Sequence, residues 1–126
     1  MKNLLFILLF GSTLAMTTDN LSEISKALSA GNAEELARYF DESVEIAILD
    51  EENQYGREEA KNVMKNFFAK YKPSSYNQVH QGVSKGKDSQ YTIGNMNANG
   101  QTFRVYVYMK VTNGKYIIQE LRFDKE

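Results

Sequence analysis

The strongest periodic pattern lies in the middle of the chain. Apolar side chains recur there at helical spacing and form one wide stripe: Ala60, Val63, Met64, Phe67, Phe68 and Tyr71. Pro73, the one proline of the chain, follows the stripe and cannot continue a helix. The pattern therefore predicts an amphipathic helix whose stripe must be covered by another part of the fold.

Two shorter helices and a strand are predicted before this helix. Asn20 and Glu23 have the spacing of a capping box, and Gly31 is placed to end the first helix as its C-cap. Asn32 then caps the second helix. Apolar residues alternate with Glu45 and Ala47 over residues 44–48, which predicts a strand with one apolar face.

The remainder of the chain is predicted to form strands and turns. The acidic segment Asp50–Gln54 is predicted to be a loop, and Asn99-Gly100 and Asn113-Gly114 suit tight hairpin turns. The fold class is therefore α+β, with three N-terminal helices packed on a curved antiparallel sheet of about four to six strands.

Three segments resemble the nuclear transport factor 2-like (cystatin-like) superfamily. They are ALSAGNAEELARYFDESVEI, YGREEAKNVMKNFF and YIIQELRF, and the order of elements between them agrees over most of the chain. The chain looks most like exported bacterial members of that superfamily. The resemblance implies a cone-shaped domain with a cavity between sheet and helices, and a homodimer formed through the outer face of the sheet.

The resemblance leaves open whether the chain is an enzyme, because the superfamily includes isomerases. The isomerases of this superfamily place a carboxylate base on the first strand and a tyrosine donor on the first helix, and those positions fall here on Ile46 and Ile24. An aliphatic side chain cannot transfer a proton, so the sequence favours a protein without this catalysis. The alternative is an enzyme that uses other pocket residues, with His80 and Glu120 as candidates.

Composition narrows the possible chemistry. The chain has no cysteine, which excludes disulfides and thiolate chemistry, and its one histidine cannot form a histidine-based metal site. We expect no metal and no cofactor. Twelve acids and three bases lie in residues 17–60, against four acids and eleven bases in residues 61–126. The bases are spread out, so we expect no nucleic-acid binding; the halves either attract each other on folding or offer a polar docking face.

The hairpin turns also predict two faces for the sheet. One face is the predicted lining of a pocket for a small apolar ligand, and it includes helix and strand residues: Phe67, Thr92, Met96, Val107, Glu120 and Arg122. The charged pair among them is either an ion pair at the rim or a polar anchor for a ligand. The opposite face is the predicted interface: Tyr91, Arg104, Tyr106, Tyr108, Leu121 and Phe123. A one-residue register slip would exchange the faces, and the alternative is that the helices cover this second face.

These patterns lead to one functional hypothesis. We expect an exported, non-catalytic binding module that holds a small molecule in the cone, or a protein partner or second copy on the outer sheet face. A purely structural interaction protein of the cell envelope is a further alternative.

The N-terminus has the pattern of an export signal. Lys2 precedes the apolar run Leu4–Phe10, and small residues lie at Thr13 and Ala15. The apolar stretch is shorter than the ~20 residues that span a bilayer, so no stable membrane span is predicted. We interpret residues 1–16 as the signal and 17–126 as a single domain, which would be periplasmic or extracellular.

Expression of the full chain in a bacterium that exports proteins tests this signal. We expect the mature protein to begin after a cut between Ala15 and Thr18, as read by intact mass and N-terminal sequencing. Replacing two leucines of the Leu4–Phe10 run with arginine should abolish cleavage, because a signal requires an apolar segment. Retention of Met1–Ala15 on the exported protein would contradict the prediction.

Overall fold

The computed structural model describes residues 20–126; the predicted signal at residues 1–16 lies outside them. Helix α1 spans Asn20–Ala30, α2 spans Ala33–Ala37 and α3 spans Arg57–Lys70. The Asn32 side chain accepts a hydrogen bond from the Glu35 amide at 3.1 Å, as its predicted capping role requires. Helices α1 and α2 precede the sheet, whereas α3 lies between its second and third strands.

Six strands form one curved sheet. They are β1 (Phe40–Ile48), β2 (Glu51–Gly56), β3 (Pro73–Val83), β4 (Ser89–Ala98), β5 (Gln101–Thr112) and β6 (Lys115–Lys125). The order across the sheet is β2-β1-β6-β5-β4-β3. All neighbours are antiparallel except β1 and β6, which run parallel. The prediction of an entirely antiparallel sheet was therefore wrong. The chain leaves β1 through β2 and α3 and comes back beside β1 only as β6, which runs in the same direction; parallel neighbours require such a long connection.

A second correction concerns the acidic segment after β1. Residues 51–54 were predicted to be a loop, but they form most of β2. The whole strand pairs with β1, from Ile48↔Glu51 to Ser43↔Gly56. Backbone hydrogen bonds hold an edge strand without any need for apolar side chains. The alternation rule detects burial, so it cannot detect a strand whose side chains are nearly all exposed.

The stripe of α3 packs against the inner face of the sheet. Phe67 lies at its centre, with its ring 4.7 Å from that of Phe123 and 5.6 Å from that of Phe103. Met64 and Phe68 are buried beside it, while Val63 and Tyr71 are partly buried at the margins of the stripe. The packing of the predicted stripe thus forms the core.

A β-bulge in β6 determines which residues face this core. Met109 pairs with Ile118 but Tyr108 pairs with Glu120, so Gln119 is an extra residue on β6. The side-chain amide of Gln119 donates a hydrogen bond to the Asp41 carboxylate at 3.0 Å. This bond is the main cause of the lowered pKa of Asp41. Beyond the bulge the alternation of β6 is reversed relative to a regular hairpin.

The predicted faces of β6 were therefore wrong beyond this point. Leu121 and Phe123, predicted to lie at an interface, are fully buried in the core. Glu120 and Arg122, predicted to line a pocket, lie on the outer face opposite Tyr108 and Tyr106. The physical reason is the period of two along a strand: one extra residue moves every later side chain to the other face.

Two glycines are required by their surroundings. Gly31 has φ +65° at the turn between α1 and α2, and a Cβ there would also overlap the ring of Pro73. Gly94 lies under the ring of the buried Tyr76, which occupies the space a Cβ would need. The close packing of Tyr76 on β4 therefore depends on the absence of a side chain at Gly94.

Gly94→Ala is expected to lower the free energy of unfolding by about 1–3 kcal/mol, because a buried ring cannot move away without disturbing the core. Urea unfolding followed by circular dichroism measures the change. Gly86→Ala is the matched control, since a Cβ there meets only ordinary contacts with the Asp88 side chain. Equal stability of the two variants would contradict this account of Gly94.

Candidate functional site: the outer face of the sheet

The predicted pocket residues on the inner side of the sheet are packed among other side chains. Phe67, Met96 and Val107 belong to the packed core, and Thr92 is buried at 4% exposure. Thr92 also forms a hydrogen bond with the hydroxyl of Tyr76, whose pKa is raised by burial. The space between sheet and helices is filled with side chains at these positions.

The edge of Phe67 reaches an open groove between α3 and the β1–β2 turn. The groove has a volume of about 420 Å³, and apolar side chains of Ile48, Leu49, Val63 and Tyr71 line it. Leu49 has φ +56°, which is uncommon for a leucine, and its amide is fixed by a hydrogen bond to the carbonyl of Phe123. The groove is open at the surface and reaches the core at Phe67.

Four of the six predicted interface residues do lie together on the outer face. Tyr91, Tyr106 and Tyr108 occupy adjacent positions on β4 and β5 and are partly exposed, and Arg104 lies further along β5. Both Leu121 and Phe123 are absent from this face. The helices pack on the other side, so in the described chain nothing covers this face.

The aromatic side chains of the outer face form a row across three strands. The ring of Tyr91 stacks on Tyr106 with centroids 5.8 Å apart, and the ring of His80 lies 5.9 Å from Tyr91. Gly82 makes room for this row, because a Cβ there would overlap the Tyr91 ring. Such amphipathic rings are typical of protein interfaces.

Beside the aromatic row, three carboxylates surround one guanidinium group. Glu45 on β1 pairs with Glu120 on β6, and Glu52 on β2 lies on the same outer face. Arg122 is 3.4 Å from Glu120 and 3.6 Å from Glu52 in two ion pairs. The buried Ala47 lies between Glu52 and Arg122 in the register, and its small side chain lets them meet above it.

The three carboxylates of this cluster are not balanced by its one guanidinium group, and the pKa of Glu45 is shifted within it. The hydrogen bond between the Glu45 and Glu52 carboxyl groups raises the pKa of Glu45, and burial and the charges of Glu52 and Glu120 add to the shift. Like charges on neighbouring strands repel each other. The outer face thus has an aromatic part and an acidic part.

Sequence reasoning missed Glu45 and Glu52 as members of this cluster. Glu45 was correctly placed on the face opposite Ile46, but its neighbours were unknown because Glu52 was assigned to a loop. A run of acids next to a strand gives no signal that separates an edge strand from a turn.

The catalytic hypotheses receive no geometric support. Ile24 and Ile46, at the isomerase positions, are buried in the core. His80 is exposed on β3, while Glu120 is on β6 with two strands between them. With strands about 4.8 Å apart, these two side chains are not brought together.

Two further features are absent from residues 20–126. No group of three or more histidine or acidic side chains has a geometry suited to a metal ion. Within the same residues, no helix is long and apolar enough to cross a membrane.

The geometry agrees with a known sequence family. Residues 21–124 match the sequence model of a domain of unknown function, DUF4783. The chain belongs to the DUF4783 family. Its resemblance to nuclear transport factor 2-like proteins is confirmed by solved structures, and no curated protein matches the chain.

Solved DUF4783 structures are similar over nearly their whole length. A Bacteroides fragilis protein is 30% identical with a TM-score of 0.76, covering 82% of this chain and 96% of its own. A Bacteroides ovatus protein is 28% identical with a TM-score of 0.77, covering 82% and 93%. A nuclear transport factor 2-like protein of unknown function from Cytophaga hutchinsonii shares the fold, at 19% identity and a TM-score of 0.59, covering 84% and 86%.

Glu45→Gln is expected to stabilise the DUF4783 chain at pH 7. The pKa of Glu45 is raised in the folded state. Between the ordinary carboxyl pKa and this raised pKa, the folded protein holds a proton that the unfolded chain has released. Wild-type stability therefore falls as pH rises through that range. The uncharged glutamine removes that loss, so the gain should disappear at pH 3.

Thermal unfolding between pH 3 and pH 8 measures the effect. Glu42→Gln, which removes the same charge from an exposed position on β1, is the control for net charge. A Glu45→Gln variant that is no more stable than this control at pH 7 would contradict the repulsive cluster.

Proposed function

We propose that this DUF4783 protein is an exported, non-catalytic binding module that acts through the outer face of its sheet. The observation that carries the proposal is the row formed by His80, Tyr91 and Tyr106, with Tyr108 beside it, on a face that nothing in the described chain covers. Export rests on the predicted signal at residues 1–16.

The filled interior supports a surface function over a pocket function. In this proposal the three helices and the curved sheet form a cone, and its inside is a packed core around Phe67. A ligand there would have to displace Phe103 or Phe123, both fully buried. Emptying such positions costs about 3–5 kcal/mol each, which a small apolar ligand does not readily offset.

The occupant that we propose for the outer face is a second copy of the chain. The face carries both signs of charge, with Glu45 and Glu52 toward β2 and Arg104 and Lys110 on β5. A twofold axis can therefore place opposite charges against each other, and closed homodimers are the commonest assemblies.

The size of the face is also sufficient. Six strands spaced about 4.8 Å apart, with about ten residues each at about 3.4 Å, present roughly 800–1,000 Å². A specific interface buries about 800 Å² on each partner. The outer face therefore matches one standard interface.

Tyr106→Asp tests this proposal. We expect wild-type protein to be dimeric at micromolar concentration and the variant to be monomeric, because a charge at the centre of the face would be buried without a partner. Sedimentation velocity across a concentration series measures the association.

Asn62→Asp is the control, since it adds the same charge at an exposed position of α3. It should associate as the wild type does. A monomeric wild type would refute self-association, and an unchanged Tyr106→Asp dimer would place the interface elsewhere. Circular dichroism confirms that the variant is folded.

A further inference from the structure

The two edges of the sheet differ in how well they are protected against strand pairing. In the described part of the chain the sheet ends at β2 on one side and at β3 on the other. An edge strand exposes unpaired backbone N–H and C=O groups, and proteins usually guard such edges with charges, short strands or bulges. Strand β2 is short, with six residues, and carries Glu51 and Glu52.

Strand β3 lacks most of this protection. It has eleven residues, and no lysine, arginine, aspartate or glutamate occurs between Lys72 and Lys85. Helix α1 packs against the strand, but after Tyr76 no residue of β3 is buried. A β-bulge between Gln78 and His80 is the protective feature on this edge, and His80–Val83 are in regular register beyond it.

Apolar groups are exposed along the same part of β3. Val79 is 60% exposed and Val83 56% exposed, although both are β-branched residues that pack well within sheets. Beside Val83 is a depression of about 230 Å³, which Gly82, Tyr91 and Tyr108 also line. Backbone groups together with a side-chain depression are the two features by which strand addition recognises a peptide.

The charges at the ends of β3 indicate what kind of segment fits. Lys70 and Lys72 precede the strand, and Lys85 and Lys87 follow it in the turn to β4; all four are exposed, and no ion pair described within residues 20–126 uses them. Asp88 is the one acid in that turn. The edge is therefore uncharged in its middle and basic at both ends.

This pattern favours another protein over a second copy of the chain. Antiparallel pairing of two whole β3 strands would place Lys85 and Lys87 of one copy beside Lys70 and Lys72 of the other, and like charges repel. Acidic residues flanking an uncharged extended segment would instead complement both ends.

We infer that the free edge of β3 is a docking site for an extended segment of another protein, with an uncharged β-branched centre and acidic flanks. The segment adds a seventh strand beside His80–Val83 and places an apolar side chain in the depression next to Val83. This site adjoins the outer face, since Tyr91 and Tyr108 belong to both, but it does not rest on the proposed self-association.

Addition of synthetic peptides to the isotope-labelled mature protein, followed by the NMR shifts of its amides, tests the inference. The probe is the peptide EDTVTVTVED, and its matched control is KKTVTVTVKK. We expect the amides of residues 77–83 to shift and to gain hydrogen-exchange protection with the acidic peptide, and its Kd to be about tenfold lower than that of the basic peptide at low salt. The same acidic peptide with N-methyl groups on its threonines and valines should not bind, because it lacks the N–H donors of a strand.

Variants of the protein test the charge contact separately. Lys85→Glu/Lys87→Glu should abolish the preference between the two peptides, because each peptide then meets attraction at one end of β3 and repulsion at the other. Arg38→Glu/Arg57→Glu makes the same change in net charge at the C-cap of α2 and the first residue of α3, and it should preserve the preference. Absent binding, amide shifts confined to residues outside β3, equal affinity of the wild-type protein for both peptides, or undiminished binding of the methylated peptide would overturn the inference. Protection of the β3 amides in protein alone, rising with its concentration, would also overturn it and identify a second copy as the occupant.

Discussion

The apolar stripe of α3 is buried because the curved sheet packs around it, and the rest of the structure depends on that packing. Phe67 meets Phe103 and Phe123 from two neighbouring strands at centroid distances of 5.6 and 4.7 Å. Contacts at these separations combine area burial with favourable ring geometry. Curvature, strand order and the position of the helices all serve to bring these rings together.

A filled interior moves the functional question to the surface. The space between sheet and helices is occupied by side chains such as Met64, Met96 and Phe103, so both proposals place recognition on the surface of the sheet. The places proposed for it, within residues 20–126, are the outer face of the sheet and its β3 edge. They differ in chemistry: the face offers rings and mixed charge, whereas the edge offers backbone groups and two valines.

The local elements were predictable because their causes are local. The helix break at Gly31 and Asn32 follows from capping, and the turns at Asn99 and Asn113 follow from residues that tolerate positive φ, which both adopt here. Strand β2 was not predictable, since its side chains are exposed and its partner supplies the hydrogen bonds. The parallel pairing of β1 with β6 was also hidden, because it joins segments separated by most of the domain.

The sequence alone determined the helices, the hairpins, the superfamily and the identity of most core residues, because these depend on spacing within a few residues. The tertiary structure decided which face each residue beyond Gln119 occupies. The bulge there forms where Gln119 meets Asp41 from β1, a contact between residues far apart in the chain. That single extra residue places Leu121 and Phe123 in the core and Glu120 and Arg122 outside, because side chains alternate with a period of two.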